Sequence, residues 1–305
     1  MNLTKKKMIL TGATGAIGIA VIKYCRELQW DVCAVIRPGS TRNRNIIQKY
    51  NAEIIECDLS CMDDLCCYEQ CRNADYFIHL GWSGTFGESR NDDAMQQKNV
   101  KYALEACKTA DKLGCKAFLF AGSQAEFGRV EGELNGNIPP HPENAYGRAK
   151  LEAGMQTREL CKQKSMRHIY VRILSVYGPG DGEFTMVTST IRKLREGISP
   201  QFTPGEQLWD YLYSDDAAKA LVLACEKGKS DKIYCLGSSV ARPLKEYIQI
   251  MGYKINPEIE LQIGALPYGD KQVMHLCADI TDLKEDVGFV PEISFEEGIQ
   301  RMIEL

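Results

Sequence analysis

No apolar run in this sequence approaches the roughly 20 residues that a membrane-crossing helix requires, so no transmembrane segment and no membrane partner are expected. Positive charge is not in excess either. Against 41 Asp and Glu stand 37 Lys and Arg, a net charge of -4, which leaves no basic field for nucleic acid or an anionic bilayer. Histidine is scarce, with four residues, and none lies near the densest cysteine group, Cys57, Cys61, Cys66, Cys67 and Cys71. That group also lacks a CxxC pair, so no metal site is expected. On a helix expected from about Ser60 to Arg72, Cys67 and Cys71 share a face, which suits packing. Lys5, Lys6 and Lys7 followed by an apolar stretch to Ile22 imitate a secretory leader. That stretch is glycine-patterned, however, and Lys23 and Arg26 continue an amphipathic helix with no small-residue cleavage site, so a leader is not expected.

What is present is ample apolar material: 44% of 305 residues are hydrophobic, enough for one large or two small domains. The thirteen cysteines fall mostly in apolar or helical settings, which predicts reduced thiols in a cytoplasmic protein rather than a disulfide framework. Strand-like runs at Met8–Leu10, Val32–Ile36, Glu53–Glu56, Tyr76–Leu80, Ala117–Ala121 and His168–Leu174 alternate with helical patterns at Ala16–Leu28, Asn43–Tyr50, Ser60–Arg72, Asp92–Leu113 and Asn144–Lys164. Such alternation predicts an α/β fold, a doubly wound parallel sheet covered on both faces, with ligands gathered at the carboxyl ends of its strands.

The first of those ends is the most informative. Thr11 to Gly18 reads Thr, Gly, Ala, Thr, Gly, Ala, Ile, Gly, directly after the apolar Met8 to Leu10. A buried strand that turns at once into a helix, and lets a pyrophosphate rest on that helix's amides, needs positions without side chains; Gly12, Gly15 and Gly18 supply them. Thr14, Ala16 and Ile17 lie between them on the expected binding surface. After the second strand come Arg37, Pro38, Gly39, Ser40, Thr41 and Arg42, with no acid between Ile36 and Asn45. An acid there would bond the adenosine ribose hydroxyls, whereas arginine pairs with a 2′-phosphate, so NADP is favoured and NAD kept as the alternative.

The chemistry is expected after the fifth strand. Ser123 follows Phe118 to Gly122, and Tyr146 and Lys150 lie one turn apart on a helix opening near Asn144. A phenol near pKa 10 is a poor acid or base at neutral pH, and an ammonium on the same helix face stabilises its phenolate. Ser123 would hold a substrate oxygen, beside Gln124.

Glycine fingerprint, post-strand serine and YxxxK in this order resemble the extended short-chain dehydrogenase/reductases, the group of nucleotide-sugar epimerases, 4,6-dehydratases and 4-ketoreductases. The resemblance runs essentially end to end, through Ser123 to Gly128, Arg172 to Gly180, Gly205 to Asp216 and the closing Ala278 and Asp279. It implies that Asp58 and Leu59 contact the adenine, that Leu80 and Gly81 turn beside the cofactor phosphates, and that Asn99 supports the active-site backbone. His79 is expected to be packed and hydrogen-bonded, without a role in proton transfer. It also implies a dinucleotide-binding Rossmann domain over 1–176, rejoined by 211–236, and a smaller substrate domain over 177–210 and 237–305. Relatives usually dimerise through the helices here at Asp92–Leu113 and Asn144–Lys164, so a homodimer is expected.

Departures from the group narrow the reaction. In 4,6-dehydratases the Ser123 position is followed by an acid and then a glutamate; here Gln124 and Ala125 stand there, and Glu126, one place further on, is expected to point away from substrate. That leaves a 4-ketoreductase, to which Arg37 and the resemblance of Tyr177 to Glu183 to the CDP-abequose synthase type incline the reading, or an NAD-dependent 4-epimerase. A third reading is a catalytically idle cofactor-sensing protein. Where many relatives clamp a diphosphate with arginines, this chain has Trp209 and Pro267. The expected substitutes are Lys271, Arg242, Arg192 and the Ser175 hydroxyl, with Trp209 available to stack on a base or sugar.

Overall fold

The structure is a computed structural model that describes residues 5–230 and 232–304. Strands buried on both faces need apolar side chains along their centres, and Met8–Leu10, Val32–Ile36 and Tyr76–Ile78 supply them. In chain order the strands are β1 (Lys7–Thr11), β2 (Asp31–Ile36), β3 (Glu53–Glu56), β4 (Tyr76–His79), β5 (Ala117–Ser123), β6 (Arg167–Ile173), β7 (Ser175–Tyr177), β8 (Gln201–Phe202), β9 (Leu208–Tyr213), β10 (Ile233–Leu236), β11 (Ala241–Pro243) and β12 (Gln262–Ile263). The helices are α1 (Ala16–Glu27), α2 (Arg44–Lys49), α3 (Asp93–Lys112), α4 (Ala145–Gln163), α5 (Met186–Arg195), α6 (Ser214–Lys227), α7 (Leu244–Ile255), α8 (Thr281–Val287) and α9 (Phe295–Ile303). None of the helices among the described residues is long and apolar enough to cross a membrane.

Seven strands form one parallel sheet in the order β10-β6-β5-β4-β1-β2-β3. The chain therefore reverses direction across the sheet between β1 and β4, and the crevice outside their carboxyl ends is where a ligand fits between diverging crossovers. One face is covered by α1 and α6, whose Val21, Ile22, Leu221 and Val222 are buried in a core shared with Leu10 and Leu119. The other is covered by α3 and α4, whose Ala103, Ala106, Ala149 and Ala153 lie against Phe77, Phe118 and Phe120. Alanine at those positions lets the two helices approach the sheet and each other closely.

A third core, around Tyr177, Leu194, Tyr247, Met251, Phe295 and Ile299, is built by α5, α7 and α9 outside the main sheet. Its small sheet pairs β11, β9 and β7, with β9 antiparallel to β11 and parallel to β7. Thus 208–213 belongs to this outer sheet, while the helix after it, α6, packs on α1 and β10 closes the main sheet.

One expected helix is not a helix. Over Ser60–Arg72 the chain forms two stretches of 3-10 turn, Leu59–Cys67 and Glu69–Cys71, separated by an extended Tyr68 and kinked at Cys61 (φ -124°). Cys71 is therefore buried and Cys67 exposed, so the two do not share a face. Among the described residues no group of three or more His, Cys, Asp or Glu is placed to hold a metal.

Candidate active site

The turn after β1 is shaped by contacts that exclude side chains. Gly12 has φ +71°, and a Cβ there would lie 2.9 Å from the Gly81 nitrogen and the Leu80 carbonyl carbon. At Gly18 a Cβ would meet the Gly12 oxygen at 2.4 Å, so this glycine lets α1 close onto the turn. Gly15 differs: its Cβ would meet nothing nearer than the Gly12 oxygen at 3.6 Å, leaving that side open for a ligand. Gly15 is also the N-cap of α1, no side chain caps that end, and no acid stands in its first turn. Free amides, a positive dipole end and an unobstructed approach suit a pyrophosphate, so the cradle fits the dinucleotide that the sequence predicts. Thr14 and Ile17 are half-buried and Ala16 is buried along this turn, and the Thr14 carbonyl accepts from Asn43 Nδ2 at 2.9 Å.

The neighbouring strand ends complete the cradle. Thr11 Oγ1 accepts from the Gly81 amide at 3.0 Å and lies 3.0 Å from His79 Nδ1. His79 is fully buried, and burial pushes its pKa down to about 3, so it stays neutral. Leu59 packs against Gly81, leaving no room for a Cβ there, while the Asp58 carboxylate caps its own turn by accepting from Ser60 N and Oγ. Leu80 is half-buried beside them. Asn99 on α3 braces the backbone after β4: its Oδ1 accepts from Ser83 N at 2.9 Å, and its Nδ2 donates to Ser83 O at 2.9 Å.

At the adenosine end, Arg37 is exposed just past β2, with Asp58 as its acidic neighbour. Sequence reasoning missed Glu56 here. Its carboxylate accepts from the Gly39 amide at 3.0 Å and pairs with Arg44, so an acid from the end of β3 reaches the loop after β2. The pairing register, Ile36 opposite Glu56, brings it there, and only a predicted strand order could have exposed it.

Ser123, Tyr146 and Lys150 are brought together. Asn144 caps α4 by accepting from the Gly147 amide at 2.7 Å. Gly147 then lets the first turn of α4 rest on the Ala125 carbonyl, where a Cβ would stand only 2.3 Å away. Tyr146 lies against Ser123 in consequence. Burial pushes the phenol pKa up, while the neighbouring Ser123 hydroxyl and the Arg90 charge pull it down. Lys150 Nζ donates to the Ala121 carbonyl at 2.8 Å and lies 4.0 Å over the Trp82 ring. Burial lowers its pKa to about 7, with Glu126 opposing the shift.

Glu126 does point away from the cleft, into the interior. Its Oε1 accepts from the Ser123 amide at 2.8 Å, and its Oε2 accepts from Tyr170 Oη at 2.6 Å and Arg172 Nε at 2.7 Å. With the Ser123 hydroxyl accepting from Ala125 N, this is a capping box, and the Ser-x-x-Glu spacing was its legible signature. A buried carboxylate therefore fixes the serine's backbone.

Beside these groups opens a cleft of about 250 Å³ lined by Arg90, Gln124, Arg129, Asn144, Lys271 and Val273, among others. Gln124 and Lys271 lie on it, whereas Arg242, Trp209, Ser175 and Arg192 do not. Arg242 pairs with Glu296 and lines a separate hollow with Tyr247 and Phe295. Trp209 is packed between two cores with its indole nitrogen buried, so its ring is not a free stacking platform. Ser175 is half-buried in β7 opposite Tyr211, and Arg192 is on α5. Arg129, which the sequence reading passed over, stands on the cleft with both Glu143 oxygens accepting from its Nε, at 2.9 and 3.0 Å.

Residues 8–237 match the description of the NAD dependent epimerase/dehydratase family. The chain belongs to that family. It is similar to the CDP-abequose synthase of Salmonella typhimurium, at 28% identity over 99% of each chain. Among solved structures it is similar to a UDP-glucose 4-epimerase from Thermotoga maritima with UDP-glucose, at 23% identity, a TM-score of 0.87, and coverage of 98% and 97% of the two chains. A UDP-glucose 4-epimerase of Thermus thermophilus in complex with NAD gives a TM-score of 0.86 at 17% identity, covering 98% of each. Family membership makes this a nucleotide-sugar enzyme of the epimerase/dehydratase type.

Proposed function

We propose that this family member is a nicotinamide-dependent 4-ketoreductase of a nucleotide-linked deoxysugar. The observation that carries the reading is the convergence of Tyr146, Ser123 and Lys150, whose chain neighbours Gln124 and Asn144 line the cleft. A nicotinamide dinucleotide bound on those amides supplies the hydride. Ser123 polarises the ketone oxygen by hydrogen bonding, Tyr146 Oη protonates it as the alcohol forms, and Lys150 supports the phenolate left behind. Gln124 and Ala125 carry no titratable group able to move a proton at the sugar carbons, which supports reduction over dehydration.

Arg129 and Lys271, which line the same cleft, would meet the diphosphate in the absence of the usual arginines. Arg37 supports NADP as the preferred cofactor. The second reading, an NAD-dependent 4-epimerase, is favoured by Glu56, whose negative charge beside the loop after β2 would oppose a 2′-phosphate.

The discriminating experiment incubates the protein with NADPH or NADH and a panel of CDP-, dTDP- and UDP-linked 4-ketosugars and 4-hydroxysugars, following nicotinamide absorbance and product stereochemistry. A ketoreductase consumes the reduced cofactor in proportion to the sugar alcohol formed. Interconversion of two 4-hydroxysugars with no net cofactor change overturns that reading in favour of epimerisation.

A further inference from the structure

The cation nearest the Tyr146 ring is not Lys150. Arg90, on the short 3-10 turn Gly87–Asn91, lies with its guanidinium carbon 4.2 Å from the ring centroid, whereas Lys150 Nζ is 5.8 Å away. Lys150 is also held elsewhere, donating to the Ala121 carbonyl and lying over Trp82. Arg90 is steered onto the phenol by one donated hydrogen bond, Nη1 to the Thr85 carbonyl at 3.1 Å, and among the described residues no carboxylate pairs with it. Trp82 meets the Tyr146 ring edge-on at 87°, so the ring is fixed by a planar cation over its face and an indole at its side.

The two cations differ in kind. An ammonium loses its charge as pH rises, and the Lys150 ammonium is the more prone to do so for being buried; a guanidinium stays charged throughout. A cation over a π face also favours the phenolate over the phenol, because ionisation enriches the electron density it faces. The other groups around Tyr146 are Ser123, which favours ionisation, and Glu126, whose charge opposes it. Arg129, Glu143 and Lys271 lie further along the cleft wall.

We propose that Arg90 is a positioning residue of the active site, stacked on Tyr146 to fix the ring and to supply a permanent positive charge that makes the phenol easier to ionise. The proposal rests on Tyr146 being the proton donor for its meaning, but its test needs no substrate. Tyrosinate absorbance is titrated in the cofactor-free full-length protein, and the Tyr146 signal is isolated as the difference between each protein and its Tyr146→Phe counterpart. In Arg90→Gln the midpoint is expected to rise by about one pH unit, the low end for losing a cation at this distance. In Arg90→Lys, which keeps a charge but loses the planar stack, it is expected to rise by less than half as much. Thermal midpoints measured alongside show whether each variant is folded; if Arg90→Gln is not, the comparison of wild type with Arg90→Lys decides.

An unchanged midpoint in the folded Arg90→Gln protein overturns the proposal. So does an equal rise in both variants, which would assign the effect to loosened packing, and so does a wild-type phenol that fails to titrate before alkaline unfolding. Failure of the ketosugar assay leaves these outcomes untouched, so the two readings fail separately.

Discussion

Glu126 holds Ser123 by its backbone: the carboxylate Oε1 accepts from the Ser123 amide at 2.8 Å, while Oε2 is occupied by Tyr170 and Arg172. Arg172 and Glu126 are 1% and 0% exposed, so neither charge has water to fall back on. Removing one partner leaves the other charge buried and uncompensated. Glu126→Ala is therefore expected to destabilise the fold by about 3–5 kcal/mol, measured by urea denaturation. A loss under about 1 kcal/mol would mean that water or another donor replaces the carboxylate.

The glycines of the first turn separate ligand binding from folding. Gly15→Val places its side chain on the open side of the turn, and is expected to weaken nicotinamide cofactor binding by roughly tenfold or more while leaving the thermal midpoint nearly unchanged. Gly18→Ala pushes a methyl toward the Gly12 oxygen, and is expected to cost about 1–3 kcal/mol of stability. Calorimetric titration with cofactor and thermal unfolding, run on both variants, check the contrast.

Lys150 makes folding depend on pH in a defined direction. Its folded pKa of about 7 lies below the ordinary 10.5, so between those values the unfolded chain binds more protons than the folded one. Stability from this group therefore rises with pH across that window. The wild-type stability relative to Lys150→Met is expected to increase by up to about 1.4 kcal/mol per pH unit from about pH 7 to 9. A difference that is flat with pH would show that Lys150 titrates normally.

Arg37 is the test of cofactor preference. If it pairs with a 2′-phosphate, Arg37→Ser raises the KM for NADPH by about tenfold and leaves that for NADH in place. Steady-state kinetics with both cofactors measure this, and equal effects on the two would remove Arg37 from the discrimination.

The parallel sheet and its cradle were legible because continuous apolar runs and a glycine pattern are local signals, read without knowing which strands are neighbours. The same holds for Ser123, Tyr146 and Lys150, where helix spacing fixes two of the three. What escaped depended on tertiary neighbours. Glu56 reaches the loop after β2 only through the β2–β3 register, and Arg90 meets Tyr146 only because the turn after β4 folds back over α4. The expected helix over Ser60–Arg72 failed where Cys61 and Tyr68 leave helical geometry, a break that hydrophobic spacing does not encode. Trp209 stands where relatives place an arginine and Arg242 is an expected substitute for it, yet core packing and an ion pair with Glu296 turn both to other uses.

The central claim is that the Tyr146 phenol delivers the proton to the ketone oxygen. Its most direct measurement compares wild type with Tyr146→Phe for oxidation of reduced nicotinamide cofactor by a nucleotide-linked 4-ketosugar, with cofactor affinity measured on the same samples. The account predicts that turnover falls by at least about 100-fold while cofactor binding is nearly unchanged. Turnover by Tyr146→Phe close to the wild-type rate would contradict it.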